Sequence, residues 1–311
     1  MNSVKFIKVL LLEIFRPLSC AVAGIRRAWL FHRLQSKQKI SKRQKVPMSD
    51  AHFQNLAKQG YNRAPVMRTV LSDFDTPLSV YHKLAKAPYS YLFESVQGGD
   101  KWGRYSIIGL PCLRRLHICG STITEWNASQ KVQEVTVEDP LAWIEAFQKQ
   151  FKVLKQPGLP AFSGGLVGYF GYDTIRFVEP RLRHSGPNRD DIGAPDIELL
   201  VSEELVVFDN LSGQVHVIVH ADLTRQDAYA KAQARLDELQ AQLSQPLPMP
   251  VDQPSERILD EEDFVSSFGE ENFKAAVGKI KEYILAGDAM QVVISQQMSV
   301  DFAENPMDLY R

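Results

Sequence analysis

Residues 74–111 read FDTPLSVYHKLAKAPYSYLFESVQGGDKWGRYSIIGLP. Thr76-Pro77 sets a helix start, because proline is tolerated in the first helical turn. Tyr91–Ser95 (YLFES) is a short apolar run suited to a buried strand. It ends on a carboxylate and a hydroxyl just before Gly98-Gly99. Arg104–Gly109 is the next strand candidate. A helix followed by strands with glycine-rich turns sets the pattern for the rest of the chain.

Upstream, AHFQNLAKQGY reads as a short helix ending near Gly60. Downstream, Arg115–Cys119, Thr122–Trp126 and Lys131–Val135 are further short strands, and Asp139-Pro140 opens a helix to about Phe151. PGLPAF (157–162) is a connector. Leu199–Asp209 and Gln214–His220 are β-rich runs joined by a hairpin signal at Asn210–Gly213. Arg225–Leu243 places Tyr229, Ala232, Leu236, Leu239 and Leu243 at helical spacing. The four prolines of 244–256 mark a linker. Beyond it, Phe273–Ala286 is a helix stopped by Gly287, MQVVIS (290–295) a strand, and NPMDLYR the start of another helix. The expected class is α+β, with two sheets in layers and helices outside. One helix and one strand after a linker are too little for a core of their own. Residues 263–311 therefore read as the start of a truncated second domain with exposed apolar surface and poor solubility.

The sequence has 311 residues, 44% hydrophobic and 23% charged, which is ordinary globular composition. It excludes collagen-like chains, long disordered chains and disulfide scaffolds. Three cysteines (Cys20, Cys112, Cys119) form an odd set without CxxC spacing, against a disulfide framework or structural zinc and for a reducing compartment. A net charge of -1 gives no reason to expect nucleic acid. That charge is uneven: residues 1–47 carry eleven Lys/Arg and one acid, Glu13. This segment reads either as a basic membrane-surface helix or as a leader or upstream extension before a protein opening at Met48. It contains no stretch near the roughly 20 apolar residues of a membrane span.

Local chemistry is sparse. SGGLVGYFGYD (163–173) lacks the lysine of a phosphate loop and fits close backbone approach in a sheet. His216 and His220 lie in a β-patterned run without an acidic partner, as sheet-surface histidines. No Ser-His-Asp or Cys-His signature is visible. Glu94 and Ser95 are placed to receive a small zwitterion, or to form a turn. Gln291 opens a strand as a neutral amide, a structural residue by default.

Taken together, 74–111, GLPAFSGGLVGYFGYDTIRFVEPRL (158–182), GAPDIELLVSEELVVFDNLSG (193–213) and IKEYILAGDAMQVVISQQMSVDF (280–302) resemble the large, chorismate-using subunit of anthranilate synthase, component I. The resemblance spans 48–311. It implies a layered two-sheet fold of that kind with its C-terminal catalytic part truncated. Residues 48–243 would be the N-terminal regulatory domain, 244–262 the linker, and 263–311 the start of the chorismate-binding catalytic domain. It also implies a carbon–oxygen lyase of tryptophan biosynthesis in the cytoplasm, without a nucleic-acid or membrane partner. Chorismate and ammonia become anthranilate and pyruvate, and a glutamine amidotransferase subunit (component II) supplies the ammonia. Mg²⁺ is the implied cofactor, with ligands past Arg311, so the 311-residue chain is expected to be inactive alone.

The family's LLES-type motif matches Leu92-Phe93-Glu94-Ser95, one wall of an L-tryptophan feedback pocket. Ser95, then Glu94, then Arg104 as a carboxylate partner are the implied contacts. Gln291 matches the catalytic-strand glutamine. Relatives that add water carry lysine there, a general base, whereas an amide orients ammonia or substrate. Ile294 and Gln297 stand where many members have proline and arginine. Two alternatives remain: aminodeoxychorismate (para-aminobenzoate) synthase component I, and a non-catalytic module that senses tryptophan or docks a partner.

Overall fold

The structure, a computed structural model, describes residues 49–71, 75–94, 103–182, 193–247, 259–303 and 305–311. These residues fall into two compact units, 49–247 and 259–311. The basic segment 1–47, Ser95 and most of the Pro-rich linker lie outside the described residues.

The larger unit begins with α1 (Asp50–Lys58), whose N-cap Ser49 accepts a hydrogen bond from the His52 amide. Strand β1 (Arg63–Leu71) follows, then α2 (Pro77–Leu84). Thr76 and Ser79 cap α2 reciprocally, and Pro77 occupies its first turn. Next come β2 (Tyr91–Glu94), β3 (Tyr105–Gly109), β4 (Arg114–Cys119), β5 (Thr122–Asn127), β6 (Gln130–Thr136) and α3 (Pro140–Lys149), capped by Asp139. After the connector come β7 (Gly165–Phe170), the short α4 (Ile175–Val178), β8 (Ile197–Ser202), β9 (Glu204–Asp209), β10 (Gln214–Asp222) and α5 (Ala228–Leu243).

These strands make two five-stranded antiparallel sheets, in the orders β1-β10-β9-β3-β2 and β6-β5-β4-β8-β7. The chain passes from the first sheet to the second between β3 and β4, and returns between β8 and β9. The run 199–209, read as one strand, is therefore two strands that break at Glu203. The carbonyls of Glu203 and Glu204 accept the amides of His220 and Leu110 at this crossing.

Helices α1, α2 and α5 cover one face of the first sheet. Phe53, Val80, Leu236 and Leu239 pack there on Val66, Ile108, Val206 and Val217. Helix α3 covers one face of the second, with Ile144 and Phe147 on Leu116, Ile118, Ile123 and Ile197. Each cluster follows from its strands' period of two and its helices' period of 3.6. The α+β, layered two-sheet expectation holds. Of the run YLFES, expected to be buried, the described residues Tyr91–Glu94 are instead half-exposed at the end of their sheet, paired with β3 on one side. His220, read as a surface histidine, is part-buried, and its Nε2 lies 2.5 Å from the Ser163 carbonyl.

The smaller unit holds β11 (Val265–Ser266), α6 (Glu270–Ala286), β12 (Met298–Ser299) and α7 (Pro306–Tyr310). Gly287 stops α6 at φ 82°, a left-handed conformation suited to glycine. MQVVIS is a correction: 290–295 form no strand. A strand needs a neighbouring backbone to bond, and among the described residues of this unit β11 pairs with Met298 and Ser299, not with 290–295. Helix α6 has no buried residue, and Met290 and Val293 stand exposed.

Candidate functional site

Glu94 and Arg104 lie at the same end of the first sheet. Glu94 closes β2 opposite Ser106 of β3, which in turn pairs with Phe208 of β9. Arg104 immediately precedes β3. Its Nε donates to Asp209 Oδ1 at 3.1 Å and its Nη2 to Oδ2 at 2.8 Å. The guanidinium also lies 4.8 Å from the Tyr105 ring centroid. The Asp209 side chain is almost fully buried, while that of Arg104 is half exposed. The Arg104 fork, with the Leu211 amide and the Ser212 hydroxyl, holds the Asp209 carboxyl down at about 2.

The carboxylate that Arg104 holds is thus one of the chain's own, an arrangement the sequence reading missed. Asn210 Nδ2 donates to the Gly103 carbonyl and its amide to the Arg104 carbonyl, so the approach to β3 is tied to the β9–β10 turn. At the opposite end of the same strands, Tyr91 hydroxyl and Ser202 hydroxyl are 2.7 Å apart, and burial pushes the Tyr91 phenol up to about 12. Gly109 leaves room for the Tyr91 ring, which a Cβ there would strike.

Ser95, the first-named contact, lies outside the described residues. Gln291 lies in the other unit, exposed, in the irregular stretch after Gly287. Among the described residues, no three of His, Cys, Asp or Glu are grouped to hold a metal ion. Magnesium is therefore given no residue here. No described helix is long and apolar enough to cross a membrane.

Two further places carry polar side chains together. A cavity of about 430 Å³ opens between the 151–165 connector and the strand ends at Arg63, Ser202, Glu203 and His220. Arg63 is held there by Glu203 at 2.5 Å and Asp222 at 2.8 Å. On the second sheet, β4 and β8 align His117 with Glu198, with Cys119 two residues along the same strand face. The sequence reading found no Cys-His arrangement because the partner that orients the histidine is 81 positions away. The alternation in RLHIC was the available signal.

The glycine-rich stretch behaves as read. A Cβ at Gly168 would strike the Glu198 carbonyl, so β7 lies against β8 only with glycine there.

Comparison with known proteins adds identity to this geometry. A Pseudomonas putida protein named anthranilate synthase component 1 is 52% identical over 271 residues, covering 85% of this chain and 54% of that protein. The component 1 proteins of Pseudomonas aeruginosa and of Neisseria meningitidis serogroup B are 51% and 48% identical, over 54% and 53% of their lengths. The chain spans about half the length of these curated relatives. The crystal structure of anthranilate synthase component I from Streptococcus pneumoniae matches with a TM-score of 0.54 and 26% identity, over 78% of this chain and 51% of that one. The fold is thus shared as well as the sequence. The family model described as chorismate binding enzyme matches residues 99–311, most of the chain, so this protein belongs to the chorismate binding enzymes.

Proposed function

We propose that this chain serves as the regulatory portion and the opening of the catalytic portion of an anthranilate synthase component I. The observation that carries the reading is the 52% identity over 271 residues to a protein of that name. In this reading, chorismate and ammonia give anthranilate and pyruvate in tryptophan biosynthesis, a carbon–oxygen lyase reaction in the cytoplasm. A glutamine amidotransferase subunit delivers the ammonia. Gln291, a neutral amide, orients ammonia or substrate without acting as a base. Mg²⁺ supplies Lewis-acid stabilisation of the substrate carboxylate. The described residues offer it no ligand set, so no step here depends on the ion.

Tryptophan feedback is assigned to Ser95, Glu94 and Arg104. The two described members stand at one end of the first sheet. Because Asp209 takes Nε and Nη2 of Arg104, a ligand carboxylate would meet the remaining donor edge of the guanidinium. A ligand regulates only by binding one arrangement of the protein better than another. The 311-residue chain alone is expected to make no anthranilate.

The test is a chimaera of residues 49–311 followed by the remaining C-terminal part of the Pseudomonas putida relative. With chorismate, Mg²⁺ and ammonium it is expected to release fluorescent anthranilate, inhibited by L-tryptophan. Ser95→Phe is expected to relieve inhibition and spare turnover. A folded chimaera that yields aminodeoxychorismate, or no product, overturns the assignment. Anthranilate from the 311-residue chain itself overturns its inactivity.

A further inference from the structure

The second sheet has one face on α3 and one turned away from it. On the latter, β4 presents Arg115, His117 and Cys119 in alternation. His117 Nδ1 lies 2.8 Å from Glu198 Oε2, and His117 Nε2 lies 3.4 Å from Cys119 Sγ. A carboxylate oxygen can only accept, so the Glu198 bond places the imidazole proton on Nδ1. Nε2 then carries the lone pair that accepts the Cys119 S–H. Nucleophile, base and orienting carboxylate stand in one line, and Cys119 is exposed.

The arrangement is held from several sides. Arg115 Nη1 donates to Glu198 Oε1 at 3.1 Å, which fixes the carboxylate from the other flank. Arg115 is itself clasped between the Tyr89 and Trp126 rings, at 4.4 and 4.9 Å from their centroids. Among the described residues, the charged and titratable groups facing the pair include Arg115 on β4, Glu198 of β8 with Asp196 just before it, and Tyr169 of β7. Strand β5 contributes Thr122 and Thr124, and Glu134 of β6 accepts from Thr124. Burial pushes the Tyr169 phenol up to about 12, so it stays neutral beside the thiol.

The surroundings select the chemistry. Acyl transfer needs N–H groups aimed at a developing oxyanion. The amide next to Cys119, that of Gly120, is already committed to Asp196 Oδ2 at 2.6 Å. Thiol–disulfide exchange moves charge from sulfur to sulfur and needs no such donor.

We propose that Cys119, His117 and Glu198 form a site of reversible thiol–disulfide exchange, accepting small disulfides and favouring cationic ones over anionic ones. The Cys119 proton passes to His117 Nε2 as Sγ attacks one sulfur of the incoming disulfide. A new S–S bond forms to Cys119 and the incoming S–S bond breaks. The departing thiolate takes the proton from His117. The incoming disulfide is the oxidant, and its leaving half is the reduced product. Asp196 and Glu198, beside the thiol, set the preference for cationic partners.

The experiment treats the full 311-residue chain with cystamine or oxidised glutathione at pH 7. Mixed disulfide at each cysteine is followed by peptide-resolved mass spectrometry. Cys119 is expected to react with cystamine about tenfold faster than the same cysteine in an unfolded peptide of residues 114–122. It should also outpace its own reaction with oxidised glutathione. His117→Gln is expected to abolish the advantage over the peptide, and dithiothreitol to reverse the adduct. Buried Cys112, whose thiol burial pushes up to about 12, reports in the same digest that the chain is folded. Cys119 reacting no faster than the peptide overturns the proposal without recourse to any variant. So does an undiminished rate in folded His117→Gln, or a preference for oxidised glutathione.

Discussion

Arg104 and Asp209 meet in a two-bond fork, at 3.1 and 2.8 Å, across the ends of two adjacent antiparallel strands. The carboxylate is buried and the guanidinium half exposed, so the pair is an anchor with one side toward solvent. Asp209 has its folded-state value lowered to about 2, chiefly by the Arg104 bonds. An unfolded aspartate titrates near ~3.9. The pair's contribution is therefore complete above about pH 4 and is lost as pH falls toward 2. The thermal midpoint of the chain is expected to drop over that window. Asp209→Asn is expected to start lower at pH 7 and to lose that part of the decline. Parallel acid melts of the two proteins check this.

The other end of the same sheet gives the alkaline counterpart. Tyr91 hydroxyl bonds Ser202 at 2.7 Å, and burial holds its phenol at about 12. A phenol in the unfolded chain ionises near ~10. The unfolded state releases its proton first, so stability is full below about pH 10 and is lost as pH rises toward 12. Tyr91→Phe is expected to flatten that loss in midpoint against pH. An identical alkaline slope in the variant would show that Tyr91 is not the group responsible.

Helix α5 and strand β10 were legible because their evidence is local. Ala232, Leu236, Leu239 and Leu243 fall on one helical face, and all four are buried. Gly287 and Thr76-Pro77 were legible as caps for the same reason. What depends on a distant neighbour was not. The apolar YLFES does not reveal that β2 pairs with β3 on one flank only among the described residues. MQVVIS has the composition of a strand without a partner to pair it. Arg104 reads as a partner for a ligand's carboxylate until the fold brings Asp209 to it from 105 positions away. The His117–Glu198 pair exists only because β8 lies beside β4. The family-derived site was legible only through resemblance, since Glu94, Arg104 and Gln291 form no local motif.

Gly168 tests the packing of β7 on β8. A methyl group there would overlap the Glu198 carbonyl, which is backbone and cannot swing aside. Gly168→Ala is expected to destabilise by about 1–3 kcal/mol, the usual range for overpacking. Gly278, inside α6 with open space at its Cβ position, is the control. Gly278→Ala is expected to favour its helix by about 0.5–1 kcal/mol. Urea midpoints measure the first change and helical circular dichroism the second.

Leu239 and Leu285 are the same residue type on two helices with opposite surroundings. Leu239 of α5 is fully buried against the first sheet, while Leu285 of α6 is 88% exposed. Truncating a buried leucine removes its transfer energy and leaves a cavity. Leu239→Ala is expected to cost about 2–5 kcal/mol. Truncating an exposed leucine removes little that folding gained, so Leu285→Ala is expected to stay within about 0.5 kcal/mol. The two variants also probe the surface differently. Leu285→Ala is expected to lower binding of a hydrophobic dye by the native chain, since it removes an exposed apolar side chain. Leu239→Ala is expected to leave native dye binding unchanged and to move only the unfolding midpoint. The reverse assignment of the two effects would place the core of this protein on α6 rather than α5.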